Sequence, residues 1–314
     1  MEDGAAPGTA ADIAARVTAA QTDERGTVDY LLIGHVTVDR LDDKRVAMGG
    51  TATYAALAAR NMGARVGVHT SAAYEPGLID TLRGVLVARI PAEYTTCFVN
   101  DYSSGARRQT IESVAEKLTY EQILPEWRNP PVVHLGPLCQ EIDASLVTRF
   151  PRSLVGVTPQ GWMRQWDESG LVQAVEWADA ERVLPKASVV VISEDDVADR
   201  SVIRDWARRA RMLVVTLGDR GCDVYCQGES EAFHSPAFKS AIEVDPTGAG
   251  DVFAAAFLWH LHQSRGDWHT AADWANCVAS FVVEKRGVSG VPKLAEVEKR
   301  WRSGTRIGVR VGAS

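Results

Sequence analysis

The stretch Val244 to Asp251 reads V-D-P-T-G-A-G-D and runs straight into V-F-A-A-A-F-L-W-H-L-H, a long apolar helix pattern. Gly248, Ala249 and Gly250 are small, so a ligand can come close to the backbone there. Amides at a helix start point outward, and the helix dipole favours an anion beside them. The turn therefore has the makings of a phosphate hole. Asp251 sits next to it, placed to take the proton of a hydroxyl that attacks a γ-phosphate. An Asp capping a buried helix would give the same local text, so the turn needs its context. No G-x-x-x-x-G-K-[ST] occurs, which excludes a P-loop. No G-x-G-x-x-G follows the first strand pattern, which argues against a dinucleotide site.

That context is a strand–helix alternation. Continuous apolar runs at Tyr30–Ile33, Val66–His69, Val132–Leu135, Leu154–Val157, Val189–Ile192 and Leu213–Leu217 suit strands buried on both faces of a parallel sheet. Helical spacing recurs at Thr51–Met62, Leu171–Trp177, Val197–Ala210, Ala249–Gln263, Thr270–Glu284 and Leu294–Trp301. This predicts a three-layer αβα domain around a mostly parallel sheet, over about residues 28–303. Residues 1–27, with a short Ala-rich helix near Asp12–Ala20, and residues 304–314 read as tails. Two polar, alternating segments, about 36–48 and 94–114, break the pattern and predict a small β-sheet lid. A lid that excludes water suits phosphoryl transfer to a hydroxyl, because water competes as acceptor.

Composition narrows the classes. The 314 residues are 46% hydrophobic and 24% charged, enough for a large core. A net charge of −7 argues against nucleic acid or an anionic membrane as partner. It leaves room for an anionic small ligand held by backbone amides. The five cysteines are scattered; Cys222 and Cys226 fall on one face of the strand pattern G-C-D-V-Y-C, with no second pair to complete a zinc set. That usage fits a reducing compartment, and the acidic start has no signal-peptide character, so a cytoplasmic location is expected. His260 and His262 stand two apart on a helix and do not share a face, so they are a poor metal pair.

A diglycine, Gly49-Gly50, opens the helix Thr51–Met62, and Asp39 ends the strand pattern before it. Asp39 facing that helix start can bind the hydroxyls of a polyol, although an Asp in a turn reads the same way. Arg107 and Arg108 on the lid could clamp a γ-phosphate or simply be solvated.

Taken in order, these pieces resemble the ribokinase (PfkB) carbohydrate-kinase family, inositol-kinase-like members included. The family pattern is met at Gly34–Asp39 (G-x-x-x-x-D), Gly49-Gly50, Thr216–Gly221 (T-x-G-x-x-G), Asp245–Asp251 (D-x-x-G-A-G-D) and Arg286–Pro292 (R-G-x-x-x-x-P). The resemblance implies ATP-dependent phosphorylation of a hydroxyl on a sugar, cyclitol or related polyol. Asp251 would be the base, and Gly248, Ala249 and Gly250 the anion hole. Asp39, Gly49, Gly50, Thr53 and Arg108 would hold the acceptor. Ser193, Thr216, Gly218, Gly221 and Asn276 would line the nucleotide. Mg²⁺ would travel with ATP near Asp196, and K⁺ would sit by Asp245 and Thr247. A homodimer through the lid is a family habit.

The departures cluster around acceptor and metal. Where relatives carry Asn after the diglycine, this chain has Thr51-Ala52-Thr53-Tyr54. N-x-x-E becomes Ser193-Glu194-Asp195-Asp196, and D-P-N-x-R becomes Thr158-Pro159-Gln160-Gly161-Trp162 with Arg164 two residues late. A tyrosine and a tryptophan near the acceptor suggest stacking on an apolar ring face. A nucleoside kinase of the same fold, or a non-catalytic ligand-binding member, fits the same turn.

Overall fold

A computed structural model describes residues 18–20, 26–40, 46–74, 76–101, 108–227, 229 and 231–307. Most of both expected tails, lid residues 41–45 and 102–107, and with them Arg107, lie outside the described residues. In chain order the strands are β1 (Thr18–Ala20), β2 (Tyr30–Ile33), β3 (Thr37–Arg40), β4 (Val46–Gly49), β5 (Val66–Ala72), β6 (Leu86–Pro91), β7 (Thr96–Asp101) and β8 (Arg108–Ser113). They continue with β9 (Val132–Leu135), β10 (Leu154–Val157), β11 (Arg164–Trp166), β12 (Val172–Ala174), β13 (Val189–Ser193), β14 (Met212–Thr216), β15 (Cys222–Cys226) and β16 (Phe233–Ser235). The helices are α1 (Gly50–Asn61), α2 (Pro76–Thr81), α3 (Ala180–Val183), α4 (Ser201–Arg209), α5 (Ala249–Gln263), α6 (Trp268–Val282) and α7 (Leu294–Ser303).

The main sheet runs β1-β6-β5-β2-β9-β10-β13-β14-β15-β16. From β6 to β14 every neighbour is parallel, and antiparallel strands close both edges. The apolar runs are continuous because both faces are covered. Along β2, Tyr30 and Leu32 join the core under α1, α5 and α6, whereas Leu31 and Ile33 join the core under α3 and α4. The same alternation holds at Val189 to Ile192 on β13. Helix α5 is buried almost throughout, with Phe257 and Leu258 fully inside, which is why its sequence is apolar on all sides.

The lid is a four-stranded sheet, β4-β3-β7-β8, with β3 and β7 parallel. Three expectations are corrected. Thr18–Ala20 is not helical but pairs antiparallel with β6 at the sheet edge. Residues 171–177 do not form a helix: Val172–Ala174 is a strand in a hairpin with β11. The Asp167 carboxylate accepts the N–H groups of Ser169 and Leu171 and turns the chain back, overriding the apolar spacing. Helix α4 begins at Ser201 rather than Val197; just before it the Asp199 carboxylate accepts from Ser201 N–H and Oγ (2.8 and 2.6 Å), a local turn that competes with helix. Among the described residues no helix is long and apolar enough to cross a membrane.

The ends of β2 and β9 are tied by one buried carboxylate. Glu141 accepts from the amides of His35 (3.2 Å), Leu138 (2.9 Å) and Cys139 (2.8 Å). His35 in turn reaches the lid: its ring pairs with Thr96 Oγ1 and the Glu116 carbonyl, both at 2.8 Å. Replacing Glu141 by Ala orphans three buried amides. The expected cost is about 3 kcal/mol of unfolding free energy or more, read from urea denaturation; a loss below about 1 kcal/mol would mean those amides find water.

Candidate active site

A cleft of about 500 Å³ opens where the carboxyl ends of the central strands meet the lid. Its floor is the turn before α5. Gly248 is the helix N-cap at φ 82°, a left-handed conformation that glycine adopts without strain. A side chain there would also strike the Tyr54 ring, which lies 2.3 Å from an ideal Cβ position. Gly250 faces open space on that side. The Asp245 carboxylate shapes the turn by accepting the Thr247 N–H (3.0 Å), and the amides of Val244 and Asp245 hang from the Val283 carbonyl. The Ala249 N–H is taken up by Pro246 O (3.1 Å), so it bonds back into the turn rather than out into the cleft.

Asp251, in the first turn of α5, lines the cleft and accepts a 2.7 Å hydrogen bond from Thr51 Oγ1. Thr51 stands in the first turn of α1, so two helix starts 200 residues apart in the chain meet at one carboxylate. Burial pushes the Asp251 carboxyl up to about 6. The Thr51 hydrogen bond and Arg164 pull it down, and the nearby Asp196 carboxylate pushes it up. Such a group is ionised at pH 7 yet more basic than a surface carboxylate.

Toward the lid, Asp39 and Gly50 line the cleft, and Asp39 Oδ2 lies 2.4 Å from an ideal Cβ on Gly49, close enough that only glycine fits beneath it. Thr37, Gln109 and Leu138 complete this half. At the other end stand Ser193, Asp195, Asp196, Thr216, Gly218 and Gly221. Asp196 is fixed by the Ser193 N–H (2.8 Å) and by Gln160 Nε2 (3.0 Å). Thr158 joins the wall and is backed by a buried relay, His134 Nε2 at 3.0 Å and Tyr30 hydroxyl to His134 Nδ1 at 2.8 Å. Burial holds the His134 ring down to about 3, so it is neutral and serves to orient Thr158.

Not every sequence candidate reaches the cleft in a form that fits its expected use. Thr53 is fully buried, does not line the cleft, and its Oγ1 has no partner among the described residues. It points the other way round the helix from Thr51. Arg108 is exposed on the outer lid strand and does not line the cleft. Asn276 lines the cleft but donates its amide N–H₂ inward to Ser235 O and Oγ (3.0 and 2.9 Å). The expected aromatic platforms are mostly packed away. Tyr54 lines the cleft but is only 2% exposed beneath Gly248, and Trp162 stacks on Trp177 and donates to Ile142 O.

Several lining residues had no place among the sequence candidates, Thr51, Gln160, Arg164, Thr37, Gln109 and Asp195 among them. Thr51, Gln160 and Arg164 fall inside the segments that depart from the family pattern, which was the available signal.

Residues 172–294 match the pfkB family carbohydrate kinase model. The chain is 29% identical over 247 residues to a cytidine kinase of Thermococcus kodakarensis, covering 74% of this chain and 87% of that one. It is 37% identical over 150 residues to an inositol 3-kinase of Zea mays, covering 46% of this chain but 37% of that one. The match to fructokinase-1 of Oryza sativa likewise spans only 41% of that protein. Among solved structures, a pyrophosphate-dependent kinase in the ribokinase family superposes with a TM-score of 0.72 at 22% identity, over 86% of this chain and 99% of that one. Arabidopsis thaliana ribokinase, complexed with ribose and ATP, superposes at 0.68 and 18%, over 88% and 99%. With the motifs in family order on a ribokinase-like sheet and lid, the chain is similar to the pfkB family carbohydrate kinases.

Proposed function

We propose that the protein transfers the γ-phosphoryl group of ATP to a hydroxyl of a sugar, cyclitol or related polyol. The observation that carries this is the Thr51–Asp251 pair at the foot of a cleft that joins a hydroxyl-binding half to a glycine-lined half. The acceptor hydroxyl lies against Asp39 and the Gly49-Gly50 start of α1. Asp251 takes its proton as the oxygen attacks phosphorus. The new O–P bond forms as the bond to the ADP oxygen breaks, and the proton passes from Asp251 to solvent. Amides at the start of α5, other than that of Ala249, stabilise charge on the moving phosphoryl group. Thr216, Gly218 and Gly221 flank the nucleotide.

Mg²⁺ fits the carboxylate of Asp196, whose two oxygens keep lone pairs beyond the bonds from Ser193 and Gln160, and it would neutralise phosphate charge. K⁺ beside Asp245 and Thr247 would act through the shape of the turn.

A polyol is favoured over a nucleoside because Thr37, Asp39 and Gln109 offer hydroxyl partners in the acceptor half beside Phe98 and Leu138, Tyr54 shows the cleft only 2% of its surface, and Trp162 is stacked on Trp177. The nucleoside reading has its own support in the cytidine kinase, which this chain matches over most of its length. An ADP-release assay over myo-inositol, ribose, fructose, adenosine and cytidine separates the two. Turnover confined to the nucleosides would overturn the polyol reading.

Asp251→Asn should lower kcat by roughly 10²–10⁴, the range for loss of a general base; near-normal turnover would remove Asp251 from that role. The same substitution should stabilise the fold. The carboxyl titrates near 3.8 unfolded and near 6 folded, so the folded state binds the extra proton between these values. Stability conferred by that proton is lost as pH rises through 6. The gain from Asn should therefore grow from pH 4 to 6 and stay level above, as read by thermal unfolding across pH.

Activity should fall about tenfold per unit below pH 6, as the base is protonated. Thr51→Val removes a hydrogen bond to the ionised form, so the acid limb should move to higher pH. An unmoved limb would mean that the pair does not set the charge of Asp251.

A further inference from the structure

One cation lines the cleft among its described residues, and it was not where a lid arginine was expected. Four carboxylates face the same space, those of Asp39, Asp195, Asp196 and Asp251; Arg164 is the sole Lys, Arg or His side chain with them. A phosphoryl group in flight carries negative charge on its outer oxygens, and a planar guanidinium matches two of them at once.

Arg164 does not belong to the main sheet. It opens β11, the first strand of the β11–β12 hairpin, which leaves the sheet just after β10. That hairpin is joined to the lid. The Ile111 N–H of β8 donates to Gly170 O at 2.8 Å, and Thr110 bridges to Leu171. Gly170 stands at φ 78°, with an ideal Cβ only 2.3 Å from Ile111 O, so the joint needs glycine. Trp166 and Val172 pack against Phe98 and Ile111, side chains of the lid strands. At its other end the hairpin is pinned to the domain: Gln140 Nε2 donates to Arg164 O at 2.6 Å and Val175 N–H to Met163 O at 2.9 Å. The lid thus has a third piece, residues 164–174, and that piece ends at the cleft.

We propose that Arg164 is a catalytic residue of the phosphoryl transfer, a guanidinium that the lid-linked hairpin sets against the phosphoryl oxygens between donor and acceptor. The inference rests on the kinase reading above. It replaces Arg108, which lies outside the cleft, as the lid-borne clamp. A second effect follows from the same placement. Arg164 faces Asp251 and favours its ionised form, as does the Thr51 hydrogen bond, against burial and Asp196.

The test uses the full chain and the acceptor that the substrate panel identifies. Arg164→Met and Arg164→Lys are compared with wild type in kcat, acceptor KM, the pH profile and rescue by added guanidinium ion. Arg164→Met should lose roughly 10²–10³ in kcat, as when one donor to a developing charge is removed. Acceptor KM should change little, the acid limb should move to higher pH, and guanidinium should restore part of the rate. Arg164→Lys should recover less than wild type because a point charge cannot fork. Turnover by Arg164→Met within about threefold of wild type overturns the proposal. So does a rise in acceptor KM with kcat intact, which would make Arg164 an acceptor ligand. A rate loss with no guanidinium rescue and an unmoved acid limb also overturns it, because that pattern is structural. A wild-type chain that turns over no acceptor defeats the kinase reading itself, a failure visible without any Arg164 variant.

Discussion

The site hangs on a single 2.7 Å hydrogen bond, from Thr51 to Asp251. It closes the angle between α1 and α5, whose packed faces make much of one core. Both helices begin at glycines, and both starts open into the same cleft. A carboxylate in such a place is under opposed forces. Burial penalises its charge, while the Thr51 hydroxyl, a cation and the amide end of α5 favour it. The balance near 6 leaves it charged at neutral pH and basic enough to accept a proton. The alanines that follow Thr51 on α1 let the helices come this close. Ala52, Ala55 and Ala56 are fully buried, and Tyr54 wedges under Gly248. Core packing and the chemistry of the site are therefore one arrangement.

Much of this could be read along the chain, and the reason is local. V-D-P-T-G-A-G-D is a contiguous turn whose helix start and glycine conformation follow from its own residues, and α5 spans Ala249–Gln263 as its apolar pattern implies. The buried strands were legible because both their faces are covered, which leaves continuous apolar runs. The hairpin at 164–174 was not, because its strands are three residues each and their pairing depends on the Asp167 turn and on a bridge to the distant lid. Three residues carry no period. Thr51 and Thr53 show the same limit at a finer scale. Both lie in one departure from the family pattern, and only the rotation of α1 tells which faces Asp251 and which faces the core. Asn276 lines the cleft from α6, yet a sequence does not say that its amide will be spent on Ser235.

The charge of the cleft ties these parts together. Among the described residues four carboxylates and one guanidinium line it, a lining that repels the phosphate chain of a nucleotide. A donor that arrives with its own divalent cation removes that conflict. Asp196, steadied by Ser193 and Gln160, then becomes an attractive wall rather than a repulsive one. Asp39 and Asp251 remain on the acceptor side, where neutral hydroxyls can donate to them. The glycine-lined turn and Arg164 occupy the ground between. On the proposed function, the arrangement would sort ligands by charge along the length of the cleft, with a metal-laden anion at one end and an uncharged acceptor at the other. Positive potential would then be kept for the point where the phosphoryl group changes hands. Because Arg164 is carried by a hairpin joined to β8, that potential is completed only where lid and domain come together, so the transfer step and the exclusion of water share one structural condition.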